Sequence, residues 1–141
     1  MECICNAMRK SSRAVSNFYD KMLAPSGLRV TQYTMLRVLS RERVLSLGDL
    51  AIALDIDQTS ATRSVATLEQ GGLLERVSHH DPRVKLLKVT DKGKTALKAA
   101  SASWQEAQKA MLDSISIDDW NATMRTMNAL ASASLALPES R

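Results

Sequence analysis

Apolar residues recur every three or four positions along most of this chain, and that spacing predicts six α-helices. The first helix is predicted over residues 6–24, with lysine and arginine side chains on its solvated side. Its predicted inward positions are Met8, Val15, Phe18 and Met22. Pro25 and Gly27 end this helix, because proline removes a backbone donor and glycine permits a sharp bend.

The second predicted helix begins at Thr31, whose hydroxyl suits an N-cap, and continues to about Arg41. Its inward residues are Met35, Leu36 and Leu39. A third helix is predicted over residues 47–54, because Ser46 is a capping residue and its spacing to Asp49 resembles a capping box. The inward residues of this third helix are Leu47, Leu50 and Leu54.

After a turn at residues 55–57, a fourth helix is predicted over residues 58–70. Its apolar residues lie four and three positions apart, as one buried helix face requires, and are Ala61, Val65 and Leu68. Gly71 and Gly72 end the helix, since glycine adopts the left-handed conformation that follows many helices.

Two runs rich in valine and leucine, residues 73–78 and 84–89, predict a β-hairpin. The turn between them contains Asp81-Pro82, with proline at a favoured turn position.

The last third of the chain is predicted to be helical. One helix begins at Thr90 and runs to about Leu112, and a final helix runs from a Ser116 cap to about Leu137, before Pro138.

This order of elements, α-α-α-α-β-β-α-α, predicts a mainly α fold of the winged helix-turn-helix type. Residues 31–113 are expected to form the DNA-binding region, including a long linker helix over 91–113. Residues 1–30 and 114–141 are expected to form a helical dimerisation region. The outer helices carry apolar faces that the winged unit does not need, and a second copy of the chain is the simplest cover for them. Those faces include Phe18, Met22, Ile115, Trp120, Met124, Met127 and Leu130.

Composition narrows the class of protein further. The chain has 141 residues and a net charge of +4, which favours polyanionic partners. No apolar run approaches the roughly 18 residues needed to cross a bilayer, and no secretory stretch opens the chain, so we expect a cytoplasmic protein without membrane contact. Glycine-rich phosphate loops, paired metal-binding histidines and nucleophile-elbow patterns are absent from the sequence, which predicts neither an enzyme nor a cofactor.

The outward face of the predicted fourth helix has the residue types that contact DNA. It carries hydroxyl, amide and guanidinium side chains and no acid before Glu69; its members are Gln58, Thr59, Thr62, Arg63 and Thr67. A helix-turn-helix protein presents the amino-terminal part of such a helix to the bases. The alternative interpretation is a solvated helix face.

The tip of the hairpin is a second candidate DNA contact. Arg83 on a thin hairpin is suited to a narrow minor groove, and Asp81 is positioned to orient its guanidinium by a charge-assisted hydrogen bond. His80 and Lys85 complete the wing candidates. The alternative is a surface turn whose ion pair has little energetic consequence.

Residues 27–94 resemble the MarR family of bacterial regulators. The resemblance rests on six short stretches, namely residues 28–33, Leu50-Ala51, residues 60–63, residues 68–76, the Asp81-Pro82-Arg83 wing and residues 87–93. It implies recognition-helix contacts by Ser60, Thr62 and Arg63, and a minor-groove contact by Arg83.

The resemblance also implies a triangular homodimer that binds a double-stranded, pseudo-palindromic operator, usually to repress. Release by a phenolic or other small molecule, or by cysteine oxidation, is implied too. An activator, a regulator without ligand control, and a winged helix that binds only proteins remain alternatives.

Candidate effector sites are less marked. Cys3 and Cys5, with cations one to two turns downstream, suit an oxidation sensor, or else lie on a loosely held terminus. Their spacing relative to His79-His80 does not fit zinc, so no metal site is predicted. A small-molecule pocket between the first, second and fifth helices is a hypothesis, with core packing as its alternative. Its lining residues would be Tyr19, Met22, Tyr33, Met35 and Trp104.

Overall fold

Six α-helices and a three-stranded sheet make up residues 1–137, the part of the chain that this computed structural model describes. The helices are α1 (Ile4–Leu23), α2 (Val30–Glu42), α3 (Leu47–Leu54), α4 (Gln58–Gln70), α5 (Asp91–Ser114) and α6 (Ile117–Ala136), with a 3-10 turn at Ala24–Ser26. The strands are β1 (Leu45–Ser46), β2 (Leu74–Val77) and β3 (Leu86–Val89). The predicted mainly α, winged helix-turn-helix fold is confirmed. The chain forms two compact units, Met1–Gln105 and a second that begins at Glu106.

Helix α1 differs from its prediction at both ends and in its buried face. It begins at Ile4 and passes directly into the 3-10 turn at Ala24, which proline at its second position favours. The buried residues of α1 are Tyr19 and Leu23, whereas Met8 and Val15, predicted to face inward, are exposed. Phe18 and Met22 are half-buried.

The N-cap of α2 is Arg29 and not Thr31, so that prediction was wrong. The side chain of Gln32 accepts a hydrogen bond from the Arg29 amide at 2.9 Å, and Asp20 of α1 accepts one from the Val30 amide at 2.8 Å. These bonds satisfy backbone donors that every helix start leaves open. The predicted inward residues of α2 are confirmed as buried, namely Met35, Leu36 and Leu39.

Capping residues set the start of α3 as predicted. The Ser46 hydroxyl oxygen accepts a hydrogen bond from the Asp49 amide at 3.0 Å and donates one to the Asp49 carboxylate at 2.8 Å. Leu47 and Leu50 are buried, and Leu54 is half-buried. Asp55, in the left-handed conformation at φ 51°, ends α3 and turns the chain toward α4.

The sheet has one strand more than predicted. β3 lies in the middle and pairs antiparallel with β2 and with the two-residue β1, where Leu45 lies opposite Leu87. Both predicted strands are shorter than expected, because residues 78–85 form the loop at the tip of the wing. The side chains of Leu74, Leu87 and Val89 are buried and join the sheet to the helical core.

In the second unit, Ser116 caps α6 as predicted, since its hydroxyl oxygen accepts a hydrogen bond from the Asp119 amide at 3.0 Å. No described residue of α6 is buried. Trp120, Met124 and Leu130 are half-buried. Ile115, just before α6, and Met127 are exposed. α6 ends at Ala136, and Pro138 lies outside the described residues.

Candidate nucleic-acid interface

The outward face of α4 is defined by how its inward face packs. Ala61, Val65 and Leu68 are 0%, 3% and 0% exposed, as predicted, which turns the opposite side of the helix to solvent. The described helix runs over the predicted residues, and Gly72, at φ 72°, supplies the left-handed conformation after its end. Every residue predicted to contact DNA from this helix is exposed, namely Gln58, Thr59, Ser60, Thr62, Arg63 and Thr67.

Three hydroxyls on this face donate hydrogen bonds to their own segment. Ser60 donates to the Asp57 carboxylate at 2.7 Å, Thr62 to the carbonyl of Gln58 at 2.7 Å, and Thr67 to the carbonyl of Arg63 at 3.1 Å. Each hydroxyl oxygen still has lone pairs that can accept a bond. The Arg63 guanidinium pairs with no carboxylate among residues 1–137, so it is available to an outside acceptor.

Asp57 is an acid at the amino end of α4 that the sequence interpretation did not include. Its carboxylate caps the helix by accepting the amide of Ser60 at 2.8 Å. The hydrogen bonds from the Ser60 hydroxyl and amide hold the pKa of Asp57 below its usual range. The signal for it was the Asp-x-x-Ser spacing before an amphipathic run, which is a capping pattern.

The tip of the wing holds an oriented arginine. Oδ1 of Asp81 accepts hydrogen bonds from the backbone amide of Arg83 at 2.9 Å and from its Nε at 3.2 Å, and Oδ2 accepts one from Nη2 at 3.0 Å. The Arg83 side chain is nevertheless 88% exposed, so the guanidinium is held in place without being covered. The structure therefore brings Asp81 and Arg83 together, as predicted.

These hydrogen bonds also affect the titration of Asp81. The bonds from the Arg83 side chain and backbone lower the pKa of Asp81 from its usual value. A carboxyl with a lowered pKa in the folded state favours that state above its ordinary pKa, and the contribution is lost as pH falls through the lowered value. The hydrogen bonds between Asp81 and Arg83, here called the arginine clamp, are therefore intact at neutral pH.

Neighbouring residues stabilise the wing loop. The Asp81 amide donates a hydrogen bond to Nδ1 of His79 at 3.1 Å, and the rings of His79 and His80 lie 4.0 Å apart. The backbone carbonyl of Lys85 accepts a hydrogen bond from the Leu47 amide at 3.0 Å, which ties the wing to α3. The side chains of His80 and Lys85 are exposed, as a DNA contact requires.

A bidentate ion pair links α4 to the wing. Nε and Nη2 of Arg76 on β2 donate to the Glu69 carboxylate on α4 at 3.1 and 3.2 Å. The hydrogen bond and the charge of Glu69 raise the pKa of Arg76. The sequence interpretation missed this pair, because the two residues are seven positions apart on different elements and no local pattern connects them.

Three of the five residues predicted to line a small-molecule pocket are buried, and the other two are half-buried. Tyr19, Tyr33 and Met35 are buried, and the ring of Tyr33 stacks on that of Trp104 at 5.7 Å. The guanidinium of Arg37 lies 4.6 Å from the centre of the Trp104 ring, a cation–π contact. Met22 and Trp104 are half-buried.

A shallow cleft of about 590 Å³ lies elsewhere in the first unit, between residues 25–28, residues 71–73 and the first turns of α5. None of the five predicted pocket residues lines it, so the predicted pocket stays a prediction.

Cys3 and Cys5 are exposed, and neither forms a disulfide. Within residues 1–137 no group of three or more histidine, cysteine or acidic side chains is arranged to hold a metal ion. None of the described helices combines the length and apolarity needed to span a membrane.

Comparison with known proteins supports the family resemblance. The model of the MarR family matches residues 28–84, from the start of the helical core to the wing. The chain is 33% identical over 95 residues to the HTH-type transcriptional regulator BilQ of Clostridioides difficile, a match that spans 67% of this chain and 62% of BilQ.

Among solved structures, the transcriptional regulator MosR of M. tuberculosis in complex with DNA is similar over 96% of this chain and 98% of its own. That match has a TM-score of 0.86 and 31% sequence identity. The S. aureus MepR–DNA complex has a TM-score of 0.82 at 18% identity, covers 94% of this chain and 99% of its own, and shows the shared fold alone. The chain therefore belongs to the MarR family, a family of transcriptional regulators and not of enzymes.

Proposed function

We propose that this chain is a transcriptional repressor that binds a pseudo-palindromic DNA operator as a homodimer. One observation carries the proposal: the exposed face of α4, which bears Arg63 and no acid from 58 to 68, belongs to the same unit as the exposed, oriented Arg83 of the wing. MosR, which has been solved with DNA, and BilQ, named as a regulator, support it by similarity.

In this proposal α4 enters the major groove with its amino-terminal half against the bases. Arg63 binds guanine through its guanidinium, since a bidentate bond to O6 and N7 matches its geometry. Gln58 and Thr59 lie in the first turn of α4, the part that a helix-turn-helix protein presents to bases. Arg83 enters the adjacent minor groove, where narrow A·T tracts concentrate negative potential.

The homodimer is supported by apolar residues left exposed at both ends of the chain. In α1 they are Ile4, Met8 and Val15, whose intervals of four and seven residues place them along one side of the helix. In and after α6 they are Ile117, Met127, Leu135 and Leu137. A second copy that covers these residues would remove their apolar area from water. Sedimentation equilibrium of the purified chain measures this state directly.

The experiment that tests the proposal is selection of bound fragments from genomic DNA, followed by anisotropy titrations with the selected duplex. We expect Arg63→Ala to cost about 1–3 kcal/mol of binding free energy per half-site. The same substitution should relax the preference for guanine at one position of each half-site. Arg13→Ala, which removes an exposed arginine of α1, is the matched control and should leave base preference unchanged.

Equal affinity for the selected duplex and for unrelated duplexes would contradict sequence-specific recognition. No DNA binding even at low salt would favour a winged helix that binds only proteins. A reporter gene placed behind the selected site distinguishes repression from activation, because loss of the protein raises expression in the first case and lowers it in the second.

The signal that releases DNA is proposed to be oxidation of Cys3 and Cys5 or binding of a phenolic molecule. Both thiols are exposed at the start of α1, where an oxidant reaches them. For the oxidative signal we expect peroxide to lower operator affinity and a reductant to restore it, with both effects absent in Cys3→Ser/Cys5→Ser. Release by peroxide from the doubly substituted protein would exclude these thiols as the sensor, and release by salicylate-like phenols alone would assign control to a ligand.

A further inference from the structure

The segment Thr90-Asp91-Lys92-Gly93 opens α5, and the proposed DNA contacts make no use of it. The side chains of Thr90 and Lys92 contact the residues that follow the carboxyl end of α4. Oγ1 of Thr90 accepts a hydrogen bond from the Gly93 amide at 3.1 Å, which makes Thr90 a cap of α5.

The three residues that follow α4 accept hydrogen bonds from this segment through their backbone carbonyls. Nζ of Lys92 donates to the carbonyl of Gly71 at 2.8 Å, Oγ1 of Thr90 donates to that of Gly72 at 2.6 Å, and the Thr90 amide donates to that of Leu73 at 3.1 Å. Gly71 is the C-cap of α4 and lies at the negative end of the helix dipole, so a lysine ammonium beside its carbonyl is favourable. The start of α5 therefore closes the end of α4.

The contact is also close in space. A Cβ placed on Gly93 would lie 2.2 Å from the carbonyl oxygen of Leu73, so the two backbones approach as closely as a glycine permits. The Lys92 side chain is also near, because a Cβ on Gly72 would lie 3.6 Å from Cδ of Lys92. The residues that follow α4 thus contact both the backbone of Gly93 and the side chain of Lys92.

We propose that Lys92 is a positioning residue that locks the end of α4 to the start of α5 and thereby fixes which half-site spacing the dimer accepts. This inference rests on the proposed homodimeric DNA binding. Lys92 forms no ion pair with a carboxylate of residues 1–137, and its ammonium donates to the carbonyl of Gly71.

A small rotation of α4 at the end near Lys92 moves its opposite end by several ångströms. α4 has 13 residues, so it is about 20 Å long, and its base-reading end lies opposite the locked end. A rotation of about 10° about the locked end would displace the first turn of α4 by roughly 3 Å, close to the rise of one base pair. Loss of the lock therefore broadens the range of spacings in preference to abolishing binding.

The test compares Lys92→Met with Lys94→Met, a matched control on the same turn of α5. Lys94 lies 3.6 Å from Asp91 and is not bonded to α4, and its substitution removes the same charge. Affinity is measured for duplexes whose two half-sites have the selected spacing or one base pair fewer or more. We expect Lys92→Met to reduce the preference for the selected spacing about fivefold relative to wild type, Lys94→Met to retain it, and Lys92→Arg, which can still donate, to restore it.

Hydrogen exchange of the DNA-free protein provides a second measurement, with faster exchange expected for the amides of residues 71–73 in Lys92→Met alone. If Lys92→Met weakens all spacings equally and lowers the salt dependence by about one phosphate contact per half-site, Lys92 binds DNA directly and the positioning role is wrong. If wild type discriminates spacings and Lys92→Met discriminates them equally well, the inference fails while the proposed function stands. If wild type binds no duplex, the proposed function itself fails.

Discussion

Replacing Arg83 with alanine is expected to weaken binding to the selected operator by about 100-fold at moderate salt. In the proposed dimer each of the two wings would lose a contact of order 1–3 kcal/mol, so the total binding free energy falls by two such contributions. The side chain is 88% exposed and its only carboxylate partner among residues 1–137 is Asp81, so the substitution removes little packing. Anisotropy titrations over a range of salt concentrations should also show a smaller salt dependence.

Asp81→Ala separates the orientation of the guanidinium from its charge. Removing an acid near DNA should strengthen binding, whereas releasing the three hydrogen bonds to Arg83 should weaken it. Weaker binding by Asp81→Ala would show that orientation dominates, and tighter binding would contradict the role given to the clamp. Affinity unchanged in Arg83→Ala would remove the wing from the proposed interface.

Replacing Gly93 with alanine is expected to destabilise the fold by about 2–3 kcal/mol. The added methyl group would lie 2.2 Å from the carbonyl oxygen of Leu73 and 2.7 Å from Cγ1 of Val89, and the nearer atom belongs to the backbone. Overpacking that forces a backbone shift has a cost of this order. Urea denaturation followed by circular dichroism measures the change, with the protein concentration held constant because association in the proposed dimer would contribute to stability.

Gly48→Ala is the control for this experiment, and its expected sign is opposite. Gly48 lies in α3, and a Cβ there would meet only the Ser46 hydroxyl, at 3.9 Å. Alanine favours helix over glycine by up to about 1 kcal/mol, so stability should stay the same or rise. A stability of Gly93→Ala equal to that of wild type would show that the contact between α5 and residue 73 relaxes without cost.

The elements best predicted from the sequence are those that local chemistry determines. α3 and α4 each combine an apolar face of period 3.6 with a capping residue and a helix-ending turn, so their bounds follow from short-range pattern. The Asp81–Arg83 clamp is local as well, since its partners are only two positions apart in the sequence. These parts of the candidate site needed no tertiary information.

The parts that sequence reasoning missed depend on distant partners. β1 is a strand only because Leu45 and Ser46 pair with Leu87 and Leu86, and two residues carry no period of their own. The start of α2 is displaced from Thr31 because Asp20, ten residues before Val30, accepts the amide there. In α1, burial of Tyr19 in place of Met8 depends on where α2 packs, and no pattern within the helix specifies that.

Three hydroxyls on the exposed face of α4 donate hydrogen bonds to their own segment, and this limits which bases the helix can distinguish. While Ser60, Thr62 and Thr67 donate to their own segment, they present only lone pairs to the groove. Lone pairs match the amino groups of adenine N6 and cytosine N4 and repel the acceptors of guanine and thymine. On the proposed docking, the hydroxyls of Ser60 and Thr62, in the amino-terminal half of α4, therefore recognise hydrogen-bond donors and Arg63 recognises acceptors, so one helix face distinguishes both kinds of group on the base edges.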